Sequence, residues 1–129
     1  MANVSEKLSL SSTFLSLKEI ELDEVRSEVQ GLMVDNEKIE CAFKNSNMQI
    51  IFTNKRIFSA SLKGVMGEKV SYCSYPYSKI QCYGIETAGF MNSESELIVT
   101  ISGGSTLRFS FKSGVDVREI NYVISKYVL

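Results

Sequence analysis

The sequence predicts a mainly β domain, a β-barrel or orthogonal sandwich of about seven antiparallel strands capped by a C-terminal α-helix. Three observations support this prediction. After Asp35-Asn36 the apolar residues change from the helical period of 3.6 to the strand period of 2. Turn residues then separate one short alternating segment from the next, and helical spacing returns only after Gly114. The chain of 129 residues has the length of one domain.

The N-terminal part of the chain, residues 1–34, is predicted to be an arm followed by a short amphipathic helix. Residues 1–16 are rich in serine, with apolar residues scattered among them, which indicates a loosely ordered arm. A helix is predicted over residues 22–30, with Gly31 as its stop, because apolar residues recur there at offsets of three and four: Leu22, Val25, Val29 and Leu32. The rest of the chain, residues 35–129, forms the barrel and its C-terminal helix.

The alternating segments predict the strands of the barrel. They lie at about 39–43, 48–52, 58–62, 70–75, 80–87, 97–101 and 107–111. Asn54 is expected to adopt the left-handed conformation in the tight turn between the second and third strands, because asparagine tolerates it. Pro76 ends the fourth strand, since proline cannot donate to the ladder. Gly103-Gly104 is expected to form a two-residue hairpin turn.

Helical spacing at the end of the chain predicts the helix that caps the barrel. The helix is expected to begin near Val115, with Asp116 close to its positive N-terminal end. Its apolar side chains are expected to plug the open end of the barrel: Ile120, Val123, Ile124 and Tyr127.

The composition excludes several classes of function. The chain has no histidine, the commonest general base and zinc ligand, and its glycines match no phosphate-binding loop. We therefore assign no catalytic, cofactor-binding or metal-binding residue and expect the protein not to be an enzyme. A net charge of -1 and the absence of a basic run with interleaved aromatic residues argue against nucleic-acid binding.

The cysteines and the chain ends predict a cytoplasmic location. Cys41, Cys73 and Cys82 fit neither a disulfide framework nor a metal motif, so we expect reduced, buried thiols. The N-terminus does not have the pattern of a secretory signal, and no run approaches the ~20 apolar residues that span a bilayer.

Four motifs in order resemble the bacterial pleckstrin-homology-like family, formerly a domain of unknown function. They are residues 50–57 (IIFTNKRI), 75–80 (YPYSKI), 86–89 (ETAG) and the stretch from Glu96-Leu97 to Ile101-Ser102-Gly103. With the N-terminal helix and the C-terminal helix, the resemblance covers almost the whole chain. It implies a pleckstrin-homology-like barrel, no known enzymatic activity and a tendency to assemble into ring-shaped homo-oligomers.

The motifs also supply the candidate binding or interface residues. Arg56 is expected to pair with a carboxylate of the same barrel, Glu86 being the obvious partner; the alternative is a contact with a phosphate or a protein partner. Gly89 is expected to permit a bulge or turn at a strand end. The full set taken from the motifs is Asn54, Lys55, Arg56, Tyr77, Glu86, Thr87 and Gly89.

Two further candidates, Ile51 and Ile98, predict a covered outer surface. In a lone barrel alternate residues face water, yet these two apolar residues lie opposite inward-facing apolar neighbours on the second and sixth predicted strands. Either the N-terminal helix or a neighbouring subunit must cover this outer face. We therefore expect a closed homo-oligomer, a ring of identical chains.

The alternative function is that of a peripheral membrane or phospholipid-binding domain, by analogy of fold. Phosphoinositide recognition needs several bases that converge from the first two strands, but no second base lies between Lys44 and Lys55. We therefore expect membrane binding to be weak or absent. The main partner is another copy of the chain, and an unidentified protein partner is compatible with such a module.

Overall fold

The computed structural model describes residues 12–89 and 94–129. In these residues the class is mainly β with a short N-terminal and a longer C-terminal helix, as the sequence predicts. The elements are β1 (Ser12–Ile20), a 3-10 turn (Leu22–Glu24), α1 (Glu28–Leu32), β2 (Ile39–Lys44), β3 (Met48–Thr53), β4 (Arg56–Lys63), β5 (Lys69–Pro76), a second 3-10 turn (Tyr77–Lys79), β6 (Ile80–Glu86), β7 (Ser95–Ile101), β8 (Thr106–Phe111) and α2 (Val117–Val128).

The chain forms two compact units. The N-terminal unit is Lys18–Tyr77, and the C-terminal unit is Ser78–Leu129 together with residues 12–17 of β1. The boundary that the sequence predicts at residue 34 stays a prediction.

The N-terminal unit is an antiparallel meander of β2 to β5, extended by the last residues of β1, which pair with β2. Both faces of its central strands are buried. One face carries Phe43 and Phe52, whose rings meet edge to face with centroids 5.8 Å apart. The other face carries a second apolar cluster: Ile20, Val29, Ala42, Ile51 and Phe58. Burial on two faces explains why β3 is apolar at consecutive positions.

The C-terminal unit contains the antiparallel strands β6, β7 and β8, with residues 12–17 of β1 running parallel to β8. Helix α2 packs against β6 and β7, and Asp116 caps its start by accepting the N–H of Arg118 at 3.0 Å. Ile120 and Ile124 are buried, whereas Val123 and Tyr127 are only half-buried. The predicted helix is thus confirmed, starting two residues later than expected.

Strand β1 occupies part of the segment that the sequence assigned to a loosely ordered arm, and that assignment is wrong for residues 12–16. The strand pairs in parallel with β8, so the described strands number eight and are not all antiparallel. Its buried residues Phe14, Leu17 and Ile20 recur every third position, because the register shifts after Phe14 and Ser16 has a φ of 56°. A strand signal of period 2 is therefore absent from the sequence.

The predicted helix over residues 22–30 is two shorter pieces, the 3-10 turn and α1. Val25 between them is extended, with φ −67° and ψ 139°. The side chain of Gln49 on β3 stabilises this break, since it accepts the N–H of Arg26 and donates to the carbonyl of Glu24, both at 3.0 Å. Gly31 lies inside α1 rather than after it.

The remaining local predictions have mixed outcomes. Gly103 and Gly104 lie in the hairpin turn with φ of 97° and 91°, but the turn is longer than the expected two residues, because β7 ends at Ile101 and β8 begins at Thr106. The described residues contain no disulfide, but Cys82 is exposed and the other two cysteines are half-buried, so the expectation of buried thiols is wrong. Within the residues that the structure describes, no helix is long and apolar enough to cross a membrane.

Candidate functional site

The first motif of the sequence folds into a turn that joins β3 to β4. Thr53 is fully buried, and its hydroxyl oxygen accepts the backbone N–H groups of Lys55 and Arg56, both at 3.0 Å. The phenol of Tyr77 donates to the carbonyl of Thr53 at 2.7 Å, and the N–H of Tyr77 donates to the carbonyl of Lys55 at 3.2 Å. The motif residues therefore fix the geometry of their own turn.

Asn54 connects this turn to the loop that precedes β2. Its side-chain oxygen accepts the N–H of Lys38 at 2.8 Å, and its amide donates to the carbonyl of Asn36 at 3.0 Å. Its backbone N–H donates to the carbonyl of Lys38 at 3.0 Å. The left-handed residue is Asn36, with φ 64°, so the expectation of that conformation at Asn54 is wrong. Asparagine is required here for its amide, which both donates and accepts.

Arg56 forms a bidentate ion pair with Glu37. The Nε atom lies 2.9 Å from one carboxylate oxygen and a terminal nitrogen lies 2.7 Å from the other. The Glu37 side chain is 0% exposed and that of Arg56 is 19% exposed. The prediction of a carboxylate partner in the same domain is confirmed, but naming Glu86 as that partner is wrong.

Two more donors complete the environment of the Glu37 carboxylate. The hydroxyl of Thr53 donates to it at 2.7 Å, and the N–H of Val34 donates at 3.0 Å. Burial raises the pKa of Glu37, but the hydrogen bonds from Arg56, Thr53 and Val34 outweigh that effect and lower the pKa to about 2. Glu37 is therefore a permanently charged structural group at neutral pH.

The guanidinium group of Arg56 makes further contacts. Besides Glu37, it donates to the hydroxyl of Ser74 at 3.1 Å and to the carbonyl of Leu32 at 2.9 Å. Its central carbon lies 4.0 Å above the ring of Phe58. Four of the five N–H donors of Arg56 therefore have partners in the same unit, so the arrangement favours an internal role over ligand binding.

A groove lies beside this network, with a volume of about 460 Å³. It is lined by the 3-10 turn, by α1 and the loop after it, and by the start of β2: Leu22, Gln30, Met33, Val34, Glu37, Lys38 and Ile39. Two of these residues also extend into solvent, because Leu22 is 52% and Val34 is 57% exposed. The ion pair holds one wall in place through the carbonyl of Leu32 and the N–H of Val34.

A smaller cleft of about 200 Å³ brings together Arg26 and Lys44, which are far apart in the sequence. Arg26 pairs with Glu28 at 3.2 Å and donates to the hydroxyl of Tyr72 at 3.4 Å. The hydrogen bond that Arg26 donates to Tyr72 is the main reason that the pKa of Arg26 is raised. An anion in this cleft would therefore have to compete with Glu28 for Arg26.

The ETAG motif lies in the C-terminal unit. Glu86 faces Glu96 across the β6–β7 pair, and Glu96 accepts hydrogen bonds from Arg108 at 2.6 Å and Ser110 at 2.7 Å. The Ser110 hydrogen bond, opposed by burial and assisted by Arg108, lowers the pKa of Glu96. Thr87 and Gly89 are exposed. The φ of Gly89 is not positive, and a Cβ placed on Gly89 would have no atom within 4 Å. The special conformation expected at Gly89 is therefore not observed.

Ile51 and Ile98 differ from one another in burial. Ile51 is 0% exposed, because Val29 of α1 and the neighbouring Val25 pack on its face of the sheet. Of the two covers that the sequence allowed, the N-terminal segment of the same chain is thus the one that covers Ile51. Ile98 is half-buried, with Gly84 and Arg108 opposite it on the adjacent strands.

The structure therefore gathers Asn54, Lys55, Arg56 and Tyr77 into one network, and it places Glu86, Thr87 and Gly89 elsewhere. The sequence missed Glu37. One signal for it was available, since an arginine that begins a strand beside a buried turn requires a carboxylate nearby, and Glu37 lies two residues before β2.

Comparisons with known proteins agree with this architecture. The model of the family described as "Bacterial PH domain" matches residues 9–128. An uncharacterized Bacillus subtilis protein, YjqA, is 34% identical over 103 residues, which cover 78% of this chain and 82% of the relative. A second uncharacterized protein of that organism, YozO, is 30% identical over 101 residues, 78% of this chain and 87% of the relative.

Solved structures are also similar to this chain. A DUF1696 family protein with a pleckstrin-homology domain from Shewanella loihica has a TM-score of 0.78 at 37% identity, covering 88% of this chain and 98% of that one. A pleckstrin homology domain from Shewanella amazonensis has a TM-score of 0.66 at 36% identity, covering 87% and 91%.

Proposed function

The chain belongs to the bacterial PH domain family, and from this premise we propose that it is a non-enzymatic binding and assembly module of the cytoplasm. It self-associates into a ring-like homo-oligomer, and another copy of the chain is its main partner. The observation that carries the proposal is the apolar surface around the groove, where Leu22, Leu32 and Val34 are all exposed. Exposed apolar patches of this kind usually mark protein interfaces.

The polar network beside the groove supports a binding rather than a catalytic role. Its carboxylate is charged at neutral pH, shielded from solvent and held by four hydrogen bonds, so it is poorly suited to act as a general base. Its arginine uses four of its five N–H donors within the same unit. The network instead stabilises the loop that forms the groove.

Size exclusion with light scattering tests the proposal. We expect a discrete mass that is a multiple of 14.4 kDa, the mass of one chain, and that does not change with concentration. A mass of one chain at every concentration would refute self-association.

The alternative, a peripheral membrane or phospholipid-binding domain, is favoured by one feature. The loop between β4 and β5 exposes Val65 and Met66, and Lys63 and Lys69 face each other at its base. Glu68 in the same loop offsets part of that positive charge, so we expect little binding to anionic vesicles. Salt-sensitive co-sedimentation with phosphatidylserine or phosphoinositide vesicles, lost when Lys63→Ala is combined with Lys69→Ala, would instead support the membrane function.

A further inference from the structure

Strand β6 is an edge strand of the C-terminal unit. Within the described residues its backbone pairs with β7 on one side and with no strand on the other. The N–H and C=O groups of such an edge can pair with another chain, so proteins commonly protect edges with lysine, proline or a bulge. Strand β6 contains neither lysine nor proline, and its register shift lies at one end, between Ile80 and Cys82. The ladder from Cys82 to Glu86 is therefore regular, and its outer edge can accept an added strand.

The exposed face of this edge has a gap at Gly84. A Cβ placed on Gly84 would have no atom within 4 Å. The φ of Gly84 is not positive and the register around it is regular, so neither a left-handed turn nor a bulge accounts for a glycine in the middle of this strand. Ile98 lies directly opposite on β7 and is only half-buried. An aromatic side chain from an added strand would cover both the glycine and the isoleucine.

The same face carries an acid that lacks a base. Glu86 and Glu96 lie opposite each other on β6 and β7, an arrangement in which like charges are destabilising. Arg108 donates to Glu96 at 2.6 Å, whereas no lysine or arginine of the described ranges forms a salt bridge with Glu86. This patch therefore has one acid more than it has bases, and a basic side chain on an added strand would neutralise it.

We propose that β6 binds an extended segment of a partner protein by strand addition, with an aromatic side chain over Gly84 and Ile98 and a basic side chain beside Glu86. Gly84 and Glu86 are two positions apart and share a face, so the partner carries its aromatic and basic residues two positions apart as well. Backbone hydrogen bonds supply the affinity of such a contact, and the two side chains supply its specificity. This contact goes beyond self-association and does not depend on it.

A second copy of the chain is a poorer occupant of this edge. Paired with another β6, the strand would meet no base, because β6 has none. The other edge strand, β5, begins at Lys69 and ends at Pro76, and both residues disfavour pairing. The base of β5, Lys69, is three positions from the nearest aromatic residue of that strand, Tyr72, so the two lie on opposite faces. A different protein is therefore the expected partner.

Fluorescence anisotropy with a synthetic peptide tests the proposal on the full chain. The probe is a short labelled peptide of alternating valine and threonine, in which a tryptophan and an arginine replace two threonines that are two positions apart. We expect saturable binding at peptide concentrations up to about 1 mM and slower hydrogen exchange in residues 80–86. N-methylation of every second backbone amide should abolish binding in one register and preserve it in the other, because only one edge of the peptide pairs with β6. Absence of saturable binding, or binding in both registers, would overturn the proposal.

Protein variants then locate the peptide on the strand. Glu86→Lys should weaken binding of the arginine probe about tenfold and strengthen binding of a probe with glutamate in that place. Glu119→Lys changes an exposed acid of α2 and is the matched control, which should leave both affinities unchanged. Gly84→Val fills the gap without a clash and should weaken the tryptophan probe about threefold, but not a probe with alanine instead. Circular dichroism checks folding, and equal binding by all these variants would place the peptide elsewhere and refute the assignment.

Light scattering separates this proposal from self-association. Glu86→Lys should keep the mass of the wild type, because a second copy does not occupy the edge. A lower mass for this variant would show that a second copy does occupy it, which would overturn the proposal. An oligomeric wild type that fails to bind the probe would refute the peptide site and leave the proposed function standing.

Discussion

Each unit of the molecule contains an arginine–glutamate ion pair between residues that are far apart in the sequence, and these two pairs have different environments. In the N-terminal unit, Arg56 and Glu37 are 19% and 0% exposed, and the carboxylate has four donors. In the C-terminal unit, Arg108 and Glu96 are 43% and 26% exposed, and Ser110 also donates to the carboxylate.

The difference shows that the distance between charges does not decide what an ion pair contributes. The two pairs are almost equally short, at 2.7 Å and 2.6 Å. A buried carboxylate depends on its partners because water cannot replace them, whereas an exposed one is solvated when its partner leaves. The first pair therefore maintains the fold around the groove, and the second is a local surface contact.

The largest effect is expected from Arg56→Met. This change leaves the Glu37 carboxylate buried and without its main partner, which should lower the free energy of unfolding by about 3 to 5 kcal/mol. Urea denaturation monitored by circular dichroism measures the loss. The double variant Glu37→Gln with Arg56→Met is the control, since it removes both charges and should recover part of the stability. An unchanged urea midpoint in Arg56→Met would contradict the role given to the buried pair.

Acid should remove part of the same stabilisation. The pKa of Glu37 is about 2 in the folded protein, below its ordinary value of 4.5, so the charged form stabilises the fold. Its contribution is complete above pH 4.5 and declines as the pH falls towards 2. Urea midpoints at pH 7, 4, 3 and 2 should therefore fall less steeply for Glu37→Gln than for the wild type. Parallel curves would show that Glu37 titrates normally.

A smaller effect is expected from Asn54→Ala. The change removes the two side-chain hydrogen bonds to Asn36 and Lys38, so we expect a loss of about 1 to 3 kcal/mol. Asn54→Asp keeps the acceptor and loses the donor, and it should be intermediate. If alanine and aspartate behave like the wild type, the amide does not hold the loop.

The smallest effect is expected from Arg108→Met, which breaks the exposed pair. Glu96 stays hydrated and bonded to Ser110, so the free energy of unfolding should fall by less than about 1 kcal/mol. Because surface ion pairs are screened by salt, 1 M NaCl should reduce even this difference. A loss as large as that of Arg56→Met would remove the contrast between the two units.

The sequence predicted those parts of the fold that follow simple periodicity. Strands β2 to β8 and helix α2 alternate or recur regularly, and all of them are present. Strand β1 was missed because a left-handed residue at Ser16 changes its buried spacing from two to three. The N-terminal helix was predicted too long because its interruption depends on Gln49, a residue of a distant strand that no local pattern reveals.

Only the part of the candidate site that lies in a sequence motif was predictable. Asn54, Arg56 and Tyr77 stand in a motif and form one network. Glu37 lies in a polar loop, where a carboxylate is ordinarily solvated, and only the tertiary structure buries it. The groove and the exposed loop between β4 and β5 depend on loop geometry, which residue spacing does not encode.

The buried pair has a consequence for how such sequences can diverge. A lineage that replaces Arg56 alone retains a buried charge at Glu37, and one that replaces Glu37 alone retains an arginine whose remaining partners cannot neutralise it. Each single replacement destabilises the fold, so we expect the residues at the two positions to be inherited together or replaced together. Among homologues, covariation between a loop position and a strand position 19 residues later would then identify the groove wall without a structure.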